Sequence, residues 1–347
     1  MAVTKELLGK TKDGQSIFAF HLNNNCGMEA VVLNYGCTIK NIFVPTSDGK
    51  RVDVVLGFDE AENYFDNDCF LGSTVGPSAN RIANAKYTID GKEFTLPVND
   101  GPNNLHTDFN DGFHKRIWEA KEGENSVEFT LESKDGDLGF SGNRVFTLKY
   151  TLDDDNNLEL HYHAKSDAKT LINMTNHVYF NLGGQDSGSI LDHTLELNAS
   201  KFTPVIDSAA IPTGELQDVA GTVFDFTKGK TIGQDIEVDD KQLQCVGGYD
   251  HNFCVDGEEG TLRQAAFAKS PKTGITLKCS TTLPGVQLYV GNFLKSNCGK
   301  NNTEYKARDG FCLETQYYPN SINQEGFPDA VFGPERDYDC VTVYQFK

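Results

Sequence analysis

Alternation with a period of two is the feature of this chain that most narrows its fold. In NNLELHYH, residues 156–163, Leu158, Leu160 and Tyr162 share one side while Glu159, His161 and His163 share the other. Successive side chains take opposite faces in a β-strand, so this spacing predicts a half-buried strand. The preceding LDDDNN is turn material, and FTLKYTLDDDNNLELHYHA therefore reads as a hairpin. KYTIDGKEFTLP (86–97) reads as another, with Asp90-Gly91 as its two-residue turn. EAVVLNYGCTIKNIFV, VDVVLGF, SVEFTLES, HTLELNA, GITLKCSTTLPGVQLYVGNFL and CVTVYQFK are further strand candidates. Helical periodicity is scarce, with DEAENYF (59–65) a candidate short helix. Strands separated by Gly, Asp and Asn-rich turns predict an all-β fold, a large antiparallel sandwich or barrel with few short helices. No Pro- or Ser-rich linker and no repeat divides the 347 residues. A single β domain over 1–347 is expected, with CVTVYQFK pairing back into a sheet.

Charge narrows the partners. The formal net charge of -19 repels phosphate backbones and anionic lipid, so no nucleic acid and no membrane is expected as partner. A neutral or cationic small molecule is compatible with that field. No apolar run is long enough to cross a bilayer, and MAVTKELLGKTKDG lacks the hydrophobic region of a signal peptide. The nine cysteines are scattered and contain no CxxC pair. Neither a disulfide framework nor a zinc site is suggested, and reduced thiols in a cytoplasmic protein are expected.

The stretch LINMTNHVYFNLGG (171–184) sets polar groups inside what otherwise reads as a buried strand. Alternation sends His177, Tyr179 and Asn181 to one face, and Asn176, Val178, Phe180 and Leu182 to the other. The second set suits a core; the first suits a polar concave pocket. FCLETQYYPN (311–320) repeats the arrangement, with Phe311, Leu313 and Thr315 on one side and Cys312, Glu314, Gln316 and Tyr318 on the other. In PGVQLYVGN (284–292), Val286, Leu288 and Val290 face the core and Gln287 and Tyr289 oppose them. GGYDHNF, with Asp250 and His251, and PNNLHTD, with His106, are two more polar knots. Other histidines are blander. His161 and His163 share a face with Glu159, which fits a solvated surface better than a metal pair, and LDDDNNLE lacks the glycine and glutamate spacing of a calcium loop.

The ordered series GPSANRIANAKYTIDGKEFTL, NNLHTD, FHKRIWEA, DGDLGFSGNRVFTLKYTL, TNHVYFNLGG, GGYDHNF, PGVQLYVGNFL and GFCLETQYYPNSIN resembles the aldose 1-epimerases, also called galactose mutarotases, through nearly the whole chain. The resemblance implies a large β-sandwich with an open cleft on one sheet. It implies interconversion of the α and β anomers of aldohexoses by ring opening, rotation about C1–C2 and reclosure. It further implies Glu314 as the base on the C1 hydroxyl, His177 as the acid on the ring oxygen, and His106 as a second histidine beside them. Asn80, Arg81, Asp250 and Gln287 match the sugar-binding positions. Because the chemistry is proton transfer, no metal and no organic cofactor is expected; the partner is a monosaccharide, and the protein a monomer or homodimer. Pro77-Ser78, Thr107-Asp108 and Tyr317-Tyr318 depart from the pattern common in relatives. A non-catalytic sugar-binding or sensor protein on the same fold is the alternative. A hexose 6-phosphate epimerase wants more basic groups than Arg81 alone, and a glycosidase usually pairs two carboxylates.

Overall fold

In the computed structural model, which describes residues 3–347, antiparallel strands build nearly everything. The hairpin read from FTLKYTLDDDNNLELHYHA is present as Arg144–Leu152 paired with Asn157–Ser166, Leu148 opposite Tyr162. It lies within a nine-stranded sheet that begins at Glu119–Glu122 and ends at Lys230–Thr231. The final strand, Tyr338–Phe346, pairs back into this sheet, as expected of CVTVYQFK, and its place there is between Asn157–Ser166 and Thr276–Thr281. A five-stranded sheet carries Asp250–Cys254, Gly285–Tyr289 and Cys312–Gln316 side by side. Its inner face packs on the nine-stranded sheet. The hydroxyls of Thr315 and Thr342 lie 2.6 Å apart, and Tyr344 donates to the Leu313 carbonyl at 3.3 Å. Both contacts join facing strands of the two layers, the arrangement of a β-sandwich.

A second five-stranded sheet, from Thr4–Lys10 to Arg51–Asp53, is formed by the first strands in chain order. Tyr150 of the large sheet donates to the Cys37 carbonyl at 2.6 Å, and Phe20 meets Phe129 edge-on. The Asp90-Gly91 turn is where the sequence put it, both residues at positive φ, as this two-residue hairpin turn requires. DEAENYF forms only a 3-10 turn, Ala61–Tyr64. Among the described residues there is one α-helix, Lys241–Val246, capped by the Asp240 carboxylate and ended by left-handed Gly247. No helix among them is long and apolar enough to cross a membrane.

The TNHVYF segment is less regular than a strand. Only Thr175–Asn176 pairs as one; His177 to Asn181 run between neighbours without a continuous ladder, and a turn begins at Leu182. His177 N–H donates to Ser73 O, Phe180 exchanges both backbone bonds with Phe311, and Asn181 N–H donates to Val54 O. The alternation nonetheless holds. Val178, Phe180 and Leu182 sit in the core, with Phe180 packed on Tyr344 at 5.0 Å and Phe311 at 5.9 Å. Asn181 ties loops together: its Nδ2 donates to the carbonyls of Gly188 and Asp309, and its Oδ1 accepts from Gly183 N–H and the Ser187 hydroxyl.

Phe180 is thus the apolar anchor on the back of the segment that bears His177. Truncation leaves a void among Phe311, Tyr344 and Phe346. Phe180→Ala should lower the unfolding free energy in urea by about 3–5 kcal/mol. A loss below about 1 kcal/mol would place that side chain outside the close-packed interior.

Candidate active site

The sheet register explains why polar groups from distant segments meet. Across the three adjacent strands, Asn252 pairs with Gln287 and Gln287 with Glu314; one step along, Asp250 pairs with Tyr289 and Tyr289 with Cys312. Paired residues share a face, and residues two apart on one strand do too. The side chains opposite them, Val286, Leu288 and Leu313, are wholly buried in the sandwich. One face of this sheet is therefore core and the other the floor of a cavity of about 220 Å³. That is small beside the roughly 300–1,000 Å³ of drug-sized pockets.

The wall includes Asn80, Arg81, His106, His177, Asp250 and Glu314, six of the seven residues that the sequence nominates. Gln287 is not on it. It lies behind Asp250, 3% exposed, and donates from Nε2 to Asp250 Oδ1 at 2.7 Å. The remaining wall is largely aromatic: Phe70, Phe109, Tyr179, Tyr289 and, at the rim, Phe293. Alternation had already put Tyr179 and Tyr289 on the cavity face. Phe70 and Phe109 occupy irregular segments, where no periodicity marks them; Phe293 lies in the turn that follows Gly285–Tyr289.

Glu314 is 2% exposed, with its Oε1 3.7 Å from His177 Nε2. Its Oε2 is buried with no hydrogen-bond partner. Such an oxygen is costly to leave empty and is free to accept a proton or a donor from a ligand. Burial pushes this carboxyl well above the usual carboxylate range, the nearby Asp250 charge adds to the push, and Arg81 opposes it. Burial likewise raises Asp250, against Arg81 and the Gln287 bond. His177 is driven the other way, down to about 4, because burial disfavours its cation. Its ring lies parallel to Phe70 at 5.9 Å, and its Nδ1 is 3.5 Å from the Cys312 sulfur.

His106 and Asn80 hold one another. His106 N–H donates to Asn80 O, and Asn80 N–H donates to His106 Nδ1, both at 3.1 Å. Both residues have left-handed backbones, as does Thr107 at φ 68, a conformation that a β-branched residue rarely adopts. Thr107 is held there by two hydrogen bonds: its Oγ1 accepts Ser78 N–H at 3.0 Å and donates to Ser78 O at 2.8 Å. Two of the segments that depart from the common pattern, at Ser78 and Thr107, thus contact each other. Arg81 is steadied by Asp100, 2.9 Å from its Nε.

His106, His177 and Glu314 each bring a ligand-capable atom to within 4.8 Å of the others. Two imidazoles and a carboxylate are a zinc-type donor set, but His106 does not fit it in this arrangement. Its Nδ1 lone pair is occupied by Asn80 N–H, so the neutral ring, which burial favours, carries its proton on Nε2 and offers the cavity a donor. The other histidines serve elsewhere. His251 packs between Phe202 and Phe224. His114 lies tilted against Phe70, ring centroids 4.5 Å apart, with both nitrogens unpaired. His161 pairs with Asp339 at 2.7 Å on the surface.

Residues 19–345 match the sequence profile of the family described as aldose 1-epimerase. The chain is 40% identical to the galactose mutarotase of Bos taurus over 349 positions, covering all of this chain and 99% of that one. It is 39% identical to the aldose 1-epimerase of Escherichia coli K12, covering 96% of each. The crystal structure of galactose 1-epimerase from Lactobacillus acidophilus superposes with a TM-score of 0.88 at 31% identity, over 100% of this chain and 99% of that one. An antiparallel sandwich whose exposed sheet face carries a buried carboxylate beside an imidazole is thus the setting in which these similarities fall, and the chain belongs to the aldose 1-epimerase family.

Proposed function

We propose that this chain is an aldose 1-epimerase that interconverts the α and β anomers of aldohexoses such as galactose and glucose, with Glu314 and His177 as its proton-transfer pair. The observation that carries this reading is their geometry: Oε1 and Nε2 lie 3.7 Å apart on one cavity wall, and the second Glu314 oxygen has no partner. The two oxygens that must lose and gain protons, O1 and the ring oxygen, are bonded to the same carbon. An acid and a base that are close neighbours can therefore serve both.

The pair reacts from the form that carries its one proton on His177: the Glu314 carboxylate removes the proton of the C1 hydroxyl as the imidazolium gives its proton to the ring oxygen. The C1–O5 bond breaks and the open-chain aldehyde forms. Rotation about C1–C2 presents the other face of the carbonyl; the same two groups then return their protons in reverse and the ring closes as the other anomer. The pair ends as it began, and no group is consumed. His106 donates from Nε2 to an oxygen of the anomeric centre, while Asn80, Arg81 and Asp250 hold the other hydroxyls with Gln287 behind Asp250. Sugar hydroxyls donate and accept at once, which suits a wall of amide, carboxylate and guanidinium. A binder without catalysis would gain nothing from placing a base against an acid. The 1–347 span is read as one domain, supported by its last strand pairing with Asn157–Ser166 in mid-chain. Its nine unpaired cysteines favour the cytoplasm.

Glu314→Gln should slow the relaxation of freshly dissolved α-galactose by ~10²–10⁴-fold in polarimetry, and His177→Asn by a similar factor. Wild-type rates in Glu314→Gln would end the assignment of that residue as base.

The pair needs one proton between its two members. A second is added as pH falls toward the depressed His177 value of about 4. The only proton is lost when pH rises past the raised value of Glu314. kcat/KM should therefore fall as pH approaches about 4, and fall again at higher pH once the raised Glu314 value is passed. A single acid limb centred near 6.5, the value of an unperturbed histidine, would contradict the buried pair.

A further inference from the structure

The same sheet face has a third row of residues, beyond those of Asp250 and Asn252 and outside the cavity. Here Cys254 pairs with Gly285 and Gly285 with Gln316. Gly285 leaves a gap in that row: a Cβ on it would lie 2.4 Å from Asn252 Oδ1. Into this gap come the Asn252 carboxamide and the edge of the Tyr318 ring, with Gln316 on the adjoining strand. Gln316 is fully buried and does not line the cavity, yet it joins groups that do. Its Oε1 accepts from Asn80 Nδ2 at 3.3 Å. Its Nε2 donates to Gln287 Oε1 and to Asn252 Oδ1, both at 3.2 Å. Gln287 Nε2 continues to Asp250 Oδ1, and at the far end Asn80 Oδ1 accepts Arg81 N–H at 2.9 Å.

This is a chain of three carboxamides with a direction. At one end Asp250 Oδ1 accepts the Gln287 amide; at the other the Arg81 backbone N–H can only donate. The two ends dictate which atom of each amide faces which neighbour. Turning any one of Asn80, Gln316 or Gln287 around sets oxygen against oxygen on one side and nitrogen against nitrogen on the other. In a buried site such a mismatch is expensive.

We propose that Gln316 is a positioning residue for sugar binding: it fixes the orientation of Gln287, and through it Asp250, while holding the Asn80 side chain from behind. The proposal rests on the reading that Asn80 and Asp250 hold the sugar. Neither Glu314 nor His177 is bonded to this chain. Its loss therefore weakens the hold on ground state and transition state alike, which raises KM and spares kcat.

The test is Gln316→Leu, which removes both ends of the amide at similar volume. KM for galactose should rise by about tenfold or more, with kcat within about threefold of wild type. A general packing defect would do the opposite, lowering kcat through fewer active molecules and leaving KM alone. Gln316→Glu probes the direction of the chain and decides the matter should Gln316→Leu not fold. The new carboxylate faces the Gln287 oxygen, so that amide must turn its oxygen toward Asp250. Asp250→Asn relieves the clash because an amide can present either atom. Gln316→Glu should then lower Tm less in the Asp250→Asn background than in wild type. Wild-type KM in Gln316→Leu, or equal Tm losses in the two backgrounds, would overturn the proposal. Asp250→Ala separates the two layers of the argument. Unchanged KM there overturns the sugar-site reading itself, whereas a raised KM there beside a wild-type Gln316→Leu overturns only the role of Gln316.

Discussion

Taking a carboxylate out of water without pairing it costs several kcal/mol. Glu314 is nonetheless buried on the floor of its cavity, with one oxygen near His177 and the other unpartnered. The fold tolerates this because the rest of the site is arranged to favour uncharged forms. The neighbouring Asp250 raises the Glu314 carboxyl further, burial depresses His177 and His106, and aromatic rings occupy wall positions where water would otherwise solvate charge. In the mechanism we propose, the same desolvation that makes the pair unstable as ions lets it exchange a proton with a neutral sugar. Removing that dryness would leave an ordinary acid and an ordinary histidine.

Rigidity comes from the other side of the sheet. Each site-bearing strand has an apolar face sealed into the sandwich: Val286 and Leu288 beneath Gln287 and Tyr289, Leu313 and Thr315 beside Glu314. A strand cannot roll to redirect one residue without exposing its core partners, because a slip of one position reverses every side chain. The TNHVYF segment lacks a continuous ladder, and there the anchoring passes to Phe180 in the core and to the Asn181 carboxamide, whose four bonds tie together the segments around 183–188 and 309. The His106 side is fixed by a third device, two left-handed residues held by reciprocal bonds to Ser78 and Asn80.

What could be read in the sequence follows from these three devices. Alternation was enough to put Glu314, Gln287, Tyr289, His177 and Tyr179 on one face and their neighbours in the core, because burial on one side of a sheet leaves a period-two trace. It could not say that Tyr338–Phe346 lies between Asn157–Ser166 and Thr276–Thr281, since pairing between remote strands leaves no local mark. It also took TNHVYF for a regular strand: the spacing is a strand's, but its neighbours supply bonds from several separate segments. The six-residue helix Lys241–Val246 is too short for a helical period to stand out, although its Asp and Gly caps are visible in hindsight. Phe70 and Phe109 reach the cavity from irregular segments and had no pattern to betray them. Glu314, His177 and His106 were assigned roles by resemblance; only the faces they occupy came from the residues themselves.

The electrostatics of the wall bear on what kind of sugar it can take. Among the described wall residues Arg81 is the one lysine or arginine, against Asp68, Asp250 and Glu314. Its Nε is already engaged by Asp100. A phosphate ester would bring up to two negative charges into a dry cavity, and its oxygens would require several charge-assisted donors to replace their water. A neutral hexose makes no such demand: its hydroxyls can satisfy the empty Glu314 oxygen and the donors of Asn80 and His106 without adding net charge. The overall charge of -19 acts in the same direction from farther away, as a screened field that disfavours the approach of anions. Local wall and global field therefore both disfavour an anionic ligand by independent means, one by desolvation and one by long-range repulsion.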